Sequence, residues 1–150
     1  QGAPPRVPAP RFLLTPIGRV VSVEGDVSEI EVFPEFAEGL YRIELLDELD
    51  ILFIFDRSEG YDLKVHPKGD PAIPLAGLFG TRSPRRPSPI GLTRVRLLER
   101  GDNVLKVKGL DAFADSPVAD IKGVMGKDFS WDPEEMREKA RRASVRRAHK

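Results

Sequence analysis

Cysteine is absent from this sequence, and histidine nearly so, with only His66 and His149 present. The missing thiols exclude disulfides and a cysteine nucleophile, and two histidines are too few for an ordinary structural zinc site. No metal is therefore expected. No apolar run approaches the roughly 20 residues that cross a bilayer, so no membrane span is expected either. The stretch Gln1 to Arg11 is Pro-rich and has no apolar segment, which does not suit a secretory signal. Cytoplasm is the expected compartment. An excess of one charge sign is also missing: 24 basic residues balance 24 acidic ones. Net charge thus points neither toward nor away from nucleic acid, and its distribution has to decide. Several chemical signatures are absent as well. There is no P-loop, no Gly-x-Gly-x-x-Gly after a strand and no Gly-x-Ser-x-Gly elbow.

What is present suits one folded unit. The 150 residues are 40% hydrophobic and 32% charged, and a chain of that size buries roughly two-thirds of its unfolded surface. Ile17 to Val23 is apolar and β-branched, which predicts a strand. Glu29 to Phe33 alternates with period two, a half-buried strand that Pro34 ends. Pro34 to Gly39 has Pro first and Gly last, which suits one helical turn. Ile51 to Phe55 is a continuous apolar run, read as a strand buried on both faces. Asp62 to His66 alternates again. Leu92 to Leu98 and Val104 to Leu110 flank a Gly101-Asp102-Asn103 turn and predict a β-hairpin.

Short strands with Gly and Pro punctuation predict a mainly β fold, a barrel or sandwich, with short helical turns. One long helix is expected at the end. Asp132-Pro133-Glu134-Glu135 supplies a cap, a proline at the first helical position and a glutamate three residues after the cap. From Arg137 onward the segment is basic, through Lys139, Arg141, Arg142, Arg146, Arg147 and Lys150. The expected division is a flexible tail over 1–10, a β-barrel domain over 11–128 and a basic helix over 129–150.

The densest chemical signal is Thr81 to Leu92. Its prolines fix φ and stiffen the loop, so little entropy is lost when a ligand binds. Its arginines, Arg82, Arg85 and Arg86, offer planar forks for carboxylate or phosphate. The competing reading is a structural loop whose arginines pair with nearby carboxylates. Asp56 to Tyr61 follows the most apolar strand and is either a pocket mouth or a surface turn. Asp111 to Asp120 contains Asp115-Ser116-Pro117, a turn that can aim backbone donors and a hydroxyl at a ligand. The basic terminal helix is either a solvated face or a contact for RNA phosphates. His66, before Pro67, reads as structural.

Three strings resemble one family closely: Glu29 to Leu40 (EIEVFPEFAEGL), Phe55 to Tyr61 (FDRSEGY) and Phe79 to Leu92 (FGTRSPRRPSPIGL). Pro16-Ile17-Gly18, Gly109-Leu110-Asp111 and Asp120-Ile121-Lys122 match as well. In order, from about Thr15 to Lys122, the chain resembles the TsaA-like, or TrmO, family.

The resemblance implies a TsaA-like β-barrel methyltransferase that uses S-adenosyl-L-methionine, is homodimeric and places its cofactor near the subunit interface. It implies methylation of N6 of threonylcarbamoyladenosine at position 37 of tRNA, in the anticodon loop, where unstacked bases can be read. Arg82 and Leu92 match cofactor positions of the family. Asp56 and Arg57 fall at the strand-end cofactor positions, where many members carry His and a polar residue. The family's Asp-Gly-Thr-Pro turn aligns with Ala114-Asp115-Ser116-Pro117, which makes Phe113, Ala114, Asp115 and Ser116 cofactor positions. Arg85, Arg86, Arg141 and Arg142 are assigned to RNA. A Pro-Arg-Gln-Pro loop usual in the family is replaced by the short Glu24-Gly25-Asp26-Val27-Ser28 connection. No catalytic residue is assigned; Asp111, Asp115 and Asp120 are candidate bases by location. The alternatives are a non-catalytic RNA- or nucleotide-binding module and a small-molecule methyltransferase.

Overall fold

A computed structural model describes residues 10–127 and 129–148 of the chain. The expected tail over residues 1–9, and His149 and Lys150, lie outside the described residues, as do the side chains of Arg146 and Arg147. Eight strands are described: β1 Gly18–Glu24, β2 Val27–Val32, β3 Glu48–Ile54, β4 Lys64–Val65, β5 Ala76–Gly77, β6 Ile90–Gly101, β7 Val104–Lys108 and β8 Pro117–Gly123. Six of them close an antiparallel barrel in the order β1-β2-β7-β6-β3-β8, and β4 and β5 form a separate small ribbon. The fold is therefore mainly β, a closed barrel with short 3₁₀ turns.

The barrel follows from alternation. One side of each strand fills the interior: Val20, then Ile30 and Val32, then Leu49, Ile51 and Phe53, then Val95 and Leu97, then Leu105 and Val107, and Val118, all buried. Each such side chain contributes about 1.5–3 kcal/mol of transfer free energy. β3 alternates too, with Leu52 and Ile54 only half-buried between its core residues. The expectation of burial on both faces is thus corrected, because a closed barrel has a single interior. Ser28 also points inward at 1% exposed, and its hydroxyl has no hydrogen-bond partner among the described residues.

Two glycines are required by close approach. A Cβ on Gly18 would overlap the carbonyl of Glu31 across the β1–β2 pair. A Cβ on Gly91 would collide with the Phe53 ring, which lies over it from the paired position on β3. This is an aromatic ring covering a strand glycine.

Connections differ from the sequence reading in three places. Asp62 to His66 forms only the two-residue strand β4, since Pro67 follows and opens a 3₁₀ turn. The β6–β7 hairpin is longer than expected in its first arm, with Asp102 at φ 41° in the turn. Within residues 111–120 the expected turn falls at Ala114 and Asp115, and Pro117, read as its last residue, instead begins β8. Pro117 opens that strand, where a missing N–H can be tolerated. The Pro34–Leu40 segment forms the expected helical turn, of 3₁₀ type.

The terminal helix α1 spans Pro133–Ala148. Asp132 Oδ2 accepts from the amides of Glu134 and Glu135 at 3.1 and 3.2 Å, a side-chain cap on two orphan donors. Among the described residues no helix is long and apolar enough to cross a membrane.

Candidate functional site

The Thr81 to Leu92 loop holds its own shape. Thr81 Oγ1 donates to the Leu78 carbonyl at 2.8 Å and accepts from the Ser83 amide at 3.3 Å. Arg86 Nη1 donates to the carbonyls of Thr81 and Ser83, both at 3.0 Å. Arg85 leaves the loop: its Nε donates to the Glu59 carbonyl at 3.1 Å and its Nη1 pairs with Asp62 at 3.3 Å. Both arginines therefore have intramolecular partners that join the loop to itself and to the segment after β3. Arg82 differs. It is exposed, and one nitrogen, Nη1, reaches the Leu92 carbonyl at 3.3 Å.

Beneath the loop lies a cleft of about 630 Å³, within the roughly 300–1,000 Å³ usual for ligand sites. Its floor is the end of β3 and start of β6, with Phe53, Phe55, Ile90, Gly91, Leu92 and Thr93. Its walls are Phe79 to Arg82, Arg86 and Asp111. Phe53 and Phe55 meet edge to face at 5.1 Å. Phe79 is 76% exposed and Leu92 is 47% exposed, so the rim carries uncovered apolar surface. The cleft combines aromatic faces, hydroxyls, the guanidinia of Arg82 and Arg86 and one carboxylate.

A second cluster adjoins the cleft. It is reached from Phe55 two residues before Arg57 and from Asp111 two residues before Phe113. Arg57 Nη2 donates to the Ala114 carbonyl at 3.1 Å, and its guanidinium lies 5.8 Å from the Phe113 ring centroid. Asp115 adopts a left-handed φ of 70° and pairs with Arg19 at 3.1 Å. Its amide donates to the Val20 carbonyl at 2.7 Å, and the Ser116 carbonyl accepts from the Val20 amide at 3.0 Å. Ser116 is 5% exposed.

The structure thus sorts the residues singled out by sequence. Arg82 and Leu92 line one cleft, Arg57 and 113–116 form the adjoining turn cluster, and Asp56 is exposed beside it. On α1, Glu138 pairs with both Arg141 and Arg142, and these bonds hold its carboxyl below the usual range. His66 Nδ1 donates to the Ile73 carbonyl at 2.7 Å, a structural bond. No group of three or more metal-ligating side chains occurs among the described residues.

Sequence reasoning missed Phe53, Phe55, Phe79 and Thr93 as lining. The first two look like core residues of an apolar strand. Phe79 carried a signal, since it precedes the Gly80-Thr81-Arg82 start of the loop and has no core role.

The fold and site define a closed six-stranded β-barrel with a proline-stiffened arginine loop over a cleft at one end. Residues 15–127 match the family described as tRNA-methyltransferase O N-terminal domain, and the chain belongs to that family. Several relatives are known from Archaea. A "Probable S-adenosyl-L-methionine-binding protein" of Archaeoglobus fulgidus is 52% identical over 94 residues, covering 63% of this chain and 25% of the relative. A second protein of that organism, an "S-adenosyl-L-methionine-binding protein", is 48% identical over 96 residues, covering 64% of this chain and 68% of its own length. Among solved structures, a TrmO crystal structure superposes with a TM-score of 0.63 at 25% identity, over 84% of this chain and 61% of that one. The chain therefore spans about a quarter of the first relative and about three-fifths of the TrmO chain.

Proposed function

We propose that this chain binds S-adenosyl-L-methionine in the cleft beneath the Thr81 to Leu92 loop and is the catalytic part of a tRNA methyltransferase. The observation that carries the reading is the cleft itself, whose lining brings together Phe53, Phe55, Phe79, Thr93, Arg82 and Asp111. This donor set fits the cofactor. Aromatic faces suit an adenine ring, hydroxyl and carboxylate groups suit a ribose, and the exposed guanidinium of Arg82 suits an amino-acid carboxylate. Arg57 and residues 113–116 extend the site at its rim, beside Asp56. The names of the archaeal relatives support the same cofactor.

When bound, the cofactor supplies a methyl group on a positively charged sulfur. This chain's residues do the rest. The prolines keep the loop in place, so positioning costs little entropy at each turnover. The phenylalanines exclude water from the reacting atoms. An amide-bearing N6 must lose a proton, and a cleft carboxylate can hold it. Asp115 is engaged by Arg19 and Asp120 by Lys122, whereas Asp111 lines the cleft. Asp111 is therefore the base we favour.

The substrate we propose is N6 of threonylcarbamoyladenosine at position 37 of a cytoplasmic tRNA, with a homodimer as the working unit. The family resemblance supports this substrate, and the uncovered rim residues Phe79, Leu92 and Phe113 support a partner subunit over the site. The test is methyl transfer to tRNA with and without the threonylcarbamoyl group, read by nucleoside mass spectrometry, alongside calorimetry with the cofactor. Product only on modified tRNA is expected. Cofactor binding with no transfer to either RNA would leave a binding module; transfer to a small molecule without RNA would replace the substrate.

A further inference from the structure

A second concavity, of about 450 Å³, lies at the other end of β3. Strand pairing locates it: Gly123, in its wall, is opposite Leu49 at the start of β3, whereas the first cleft holds Phe53 and Phe55 at its end. A strand rises about 3.3 Å per residue, so Leu49, opposite Gly123, lies about 13–20 Å along β3 from Phe53 and Phe55. Ile43, Leu45, Leu46 and Ile121 floor the groove; Tyr41, Phe129 and Trp131 edge it.

The edge residues are the unusual part. Tyr41 is 74% exposed and Trp131 is 62% exposed, although both are large aromatics. Phe129 and Trp131 meet edge to face at 4.7 Å, which fixes the indole against a neighbour. Two cations lie over these rings: Arg42 at 5.1 Å from the Tyr41 centroid and Lys139 at 4.7 Å from that of Phe129. Neither cation has a carboxylate partner among the described residues. Of the acids nearby, Glu44 pairs with Arg100 and Glu138 with Arg141 and Arg142, while Glu135, one helical turn before Lys139, and Glu38, beside Tyr41, form no ion pair with either cation among the described residues. Arg42 is also held at φ 64°, a left-handed conformation that is costly for a side chain of this size.

We infer that this groove is a stacking site for an unpaired RNA base, with Arg42 and Lys139 taking the phosphates on either side. Exposed aromatics beside cations that have no carboxylate partner are the arrangement by which proteins hold single strands, the rings accepting bases and the cations the backbone. Charge complementarity selects this occupant over an apolar peptide, which would leave two cations without a counter-ion. The inference rests on the reading of RNA as partner. It moves the contact away from Arg141 and Arg142, which are ion-paired, to the beginning of the helix and the turn before β3.

The test exploits Trp131, the chain's one tryptophan. Titrating the full chain with a short unstructured RNA should quench its emission, while heparin, a polyanion without bases, should not. Tyr41→Ala, an exposed change checked for folding by circular dichroism, should weaken RNA binding about 5- to 100-fold. Arg42→Gln with Lys139→Gln should flatten the salt dependence of log K by about 1.4, for two phosphates on a single strand. Emission unmoved by RNA, or moved equally by heparin, would overturn the inference. So would emission that follows protein concentration instead, which would assign the groove to a second copy. Calorimetry with the cofactor on the same samples separates the two sites. Quenching without cofactor binding would sink the methyltransferase reading alone, and cofactor binding without quenching would sink the groove alone.

Discussion

Arg82 donates through Nη1 to the carbonyl oxygen of Leu92, 3.3 Å away, and so ties the start of the proline loop to the strand into which it feeds. The two residues are ten apart in sequence and share one cleft wall. The remaining guanidinium nitrogens have no hydrogen-bond partner among the described residues.

Replacing Arg82 with alanine should therefore weaken S-adenosyl-L-methionine binding by about 10- to 100-fold, the usual cost of a lost hydrogen bond to a charged group. Thermal stability should change little, because the bond is exposed. Calorimetry and a melting curve check both; unchanged affinity would take Arg82 out of the site.

Asp111→Asn should separate binding from chemistry. Proton transfer by a placed side chain is worth about 10²- to 10⁴-fold, so kcat should fall in that range while cofactor affinity holds. Equal loss in an Asp120→Asn control would argue against a special role for Asp111.

The interior hydroxyl of Ser28 makes an unusual prediction, a gain. An unsatisfied buried polar group costs about 1–3 kcal/mol, so Ser28→Ala should stabilise the barrel by about 1 kcal/mol. Urea unfolding reads this directly. Gly91→Ala should act in the opposite direction by about 1–3 kcal/mol, the cost of overpacking against Phe53, and Phe53→Leu in the same chain should recover part of the loss.

Acid should act through Asp50. The bond from Arg94, with Nε 3.1 Å from Oδ1, holds its carboxyl below the ordinary 3.8. A lowered folded value means that the unfolded chain binds more protons, so stability rises with pH here. The contribution is complete above about pH 4 and is lost as pH falls through the lowered value. Asp50→Asn should flatten the fall of the urea midpoint below about pH 4 relative to the unchanged chain, leaving neutral-pH activity intact.

Local patterning made β2, the β6–β7 hairpin and the Asp132 cap legible, because each depends on residues within a few positions. Strand β8 was not. Its prolyl start and flanking aspartates look like a turn, and only pairing with β1 and β3 makes it a strand. The apolar run of β3 misled in a similar way, since Leu52 and Ile54 are half-covered on the outside rather than enclosed. In the site, the roles of Arg85 and Arg86 depend on Asp62 and on carbonyls that the loop brings close only after folding. The link from Arg57 to Ala114 spans 57 positions and has no sequence signature.

The barrel ring is fastened unevenly. β3 and β6 join over seven register pairs, but β1 meets β8 over only two, Gly18 with Val118 and Arg19 with Pro117. That narrow seam ends at the Asp115–Ser116 turn, whose backbone bonds to Val20 and whose carboxylate holds Arg19. The ring therefore works like a hoop with a clasp. A molecule that packs against the turn should brace the clasp, because the turn's backbone and carboxylate are what hold the two edges together. Amide exchange at Ile17 and Val20 should be the first to slow when the site fills, well before the amides of β3 respond.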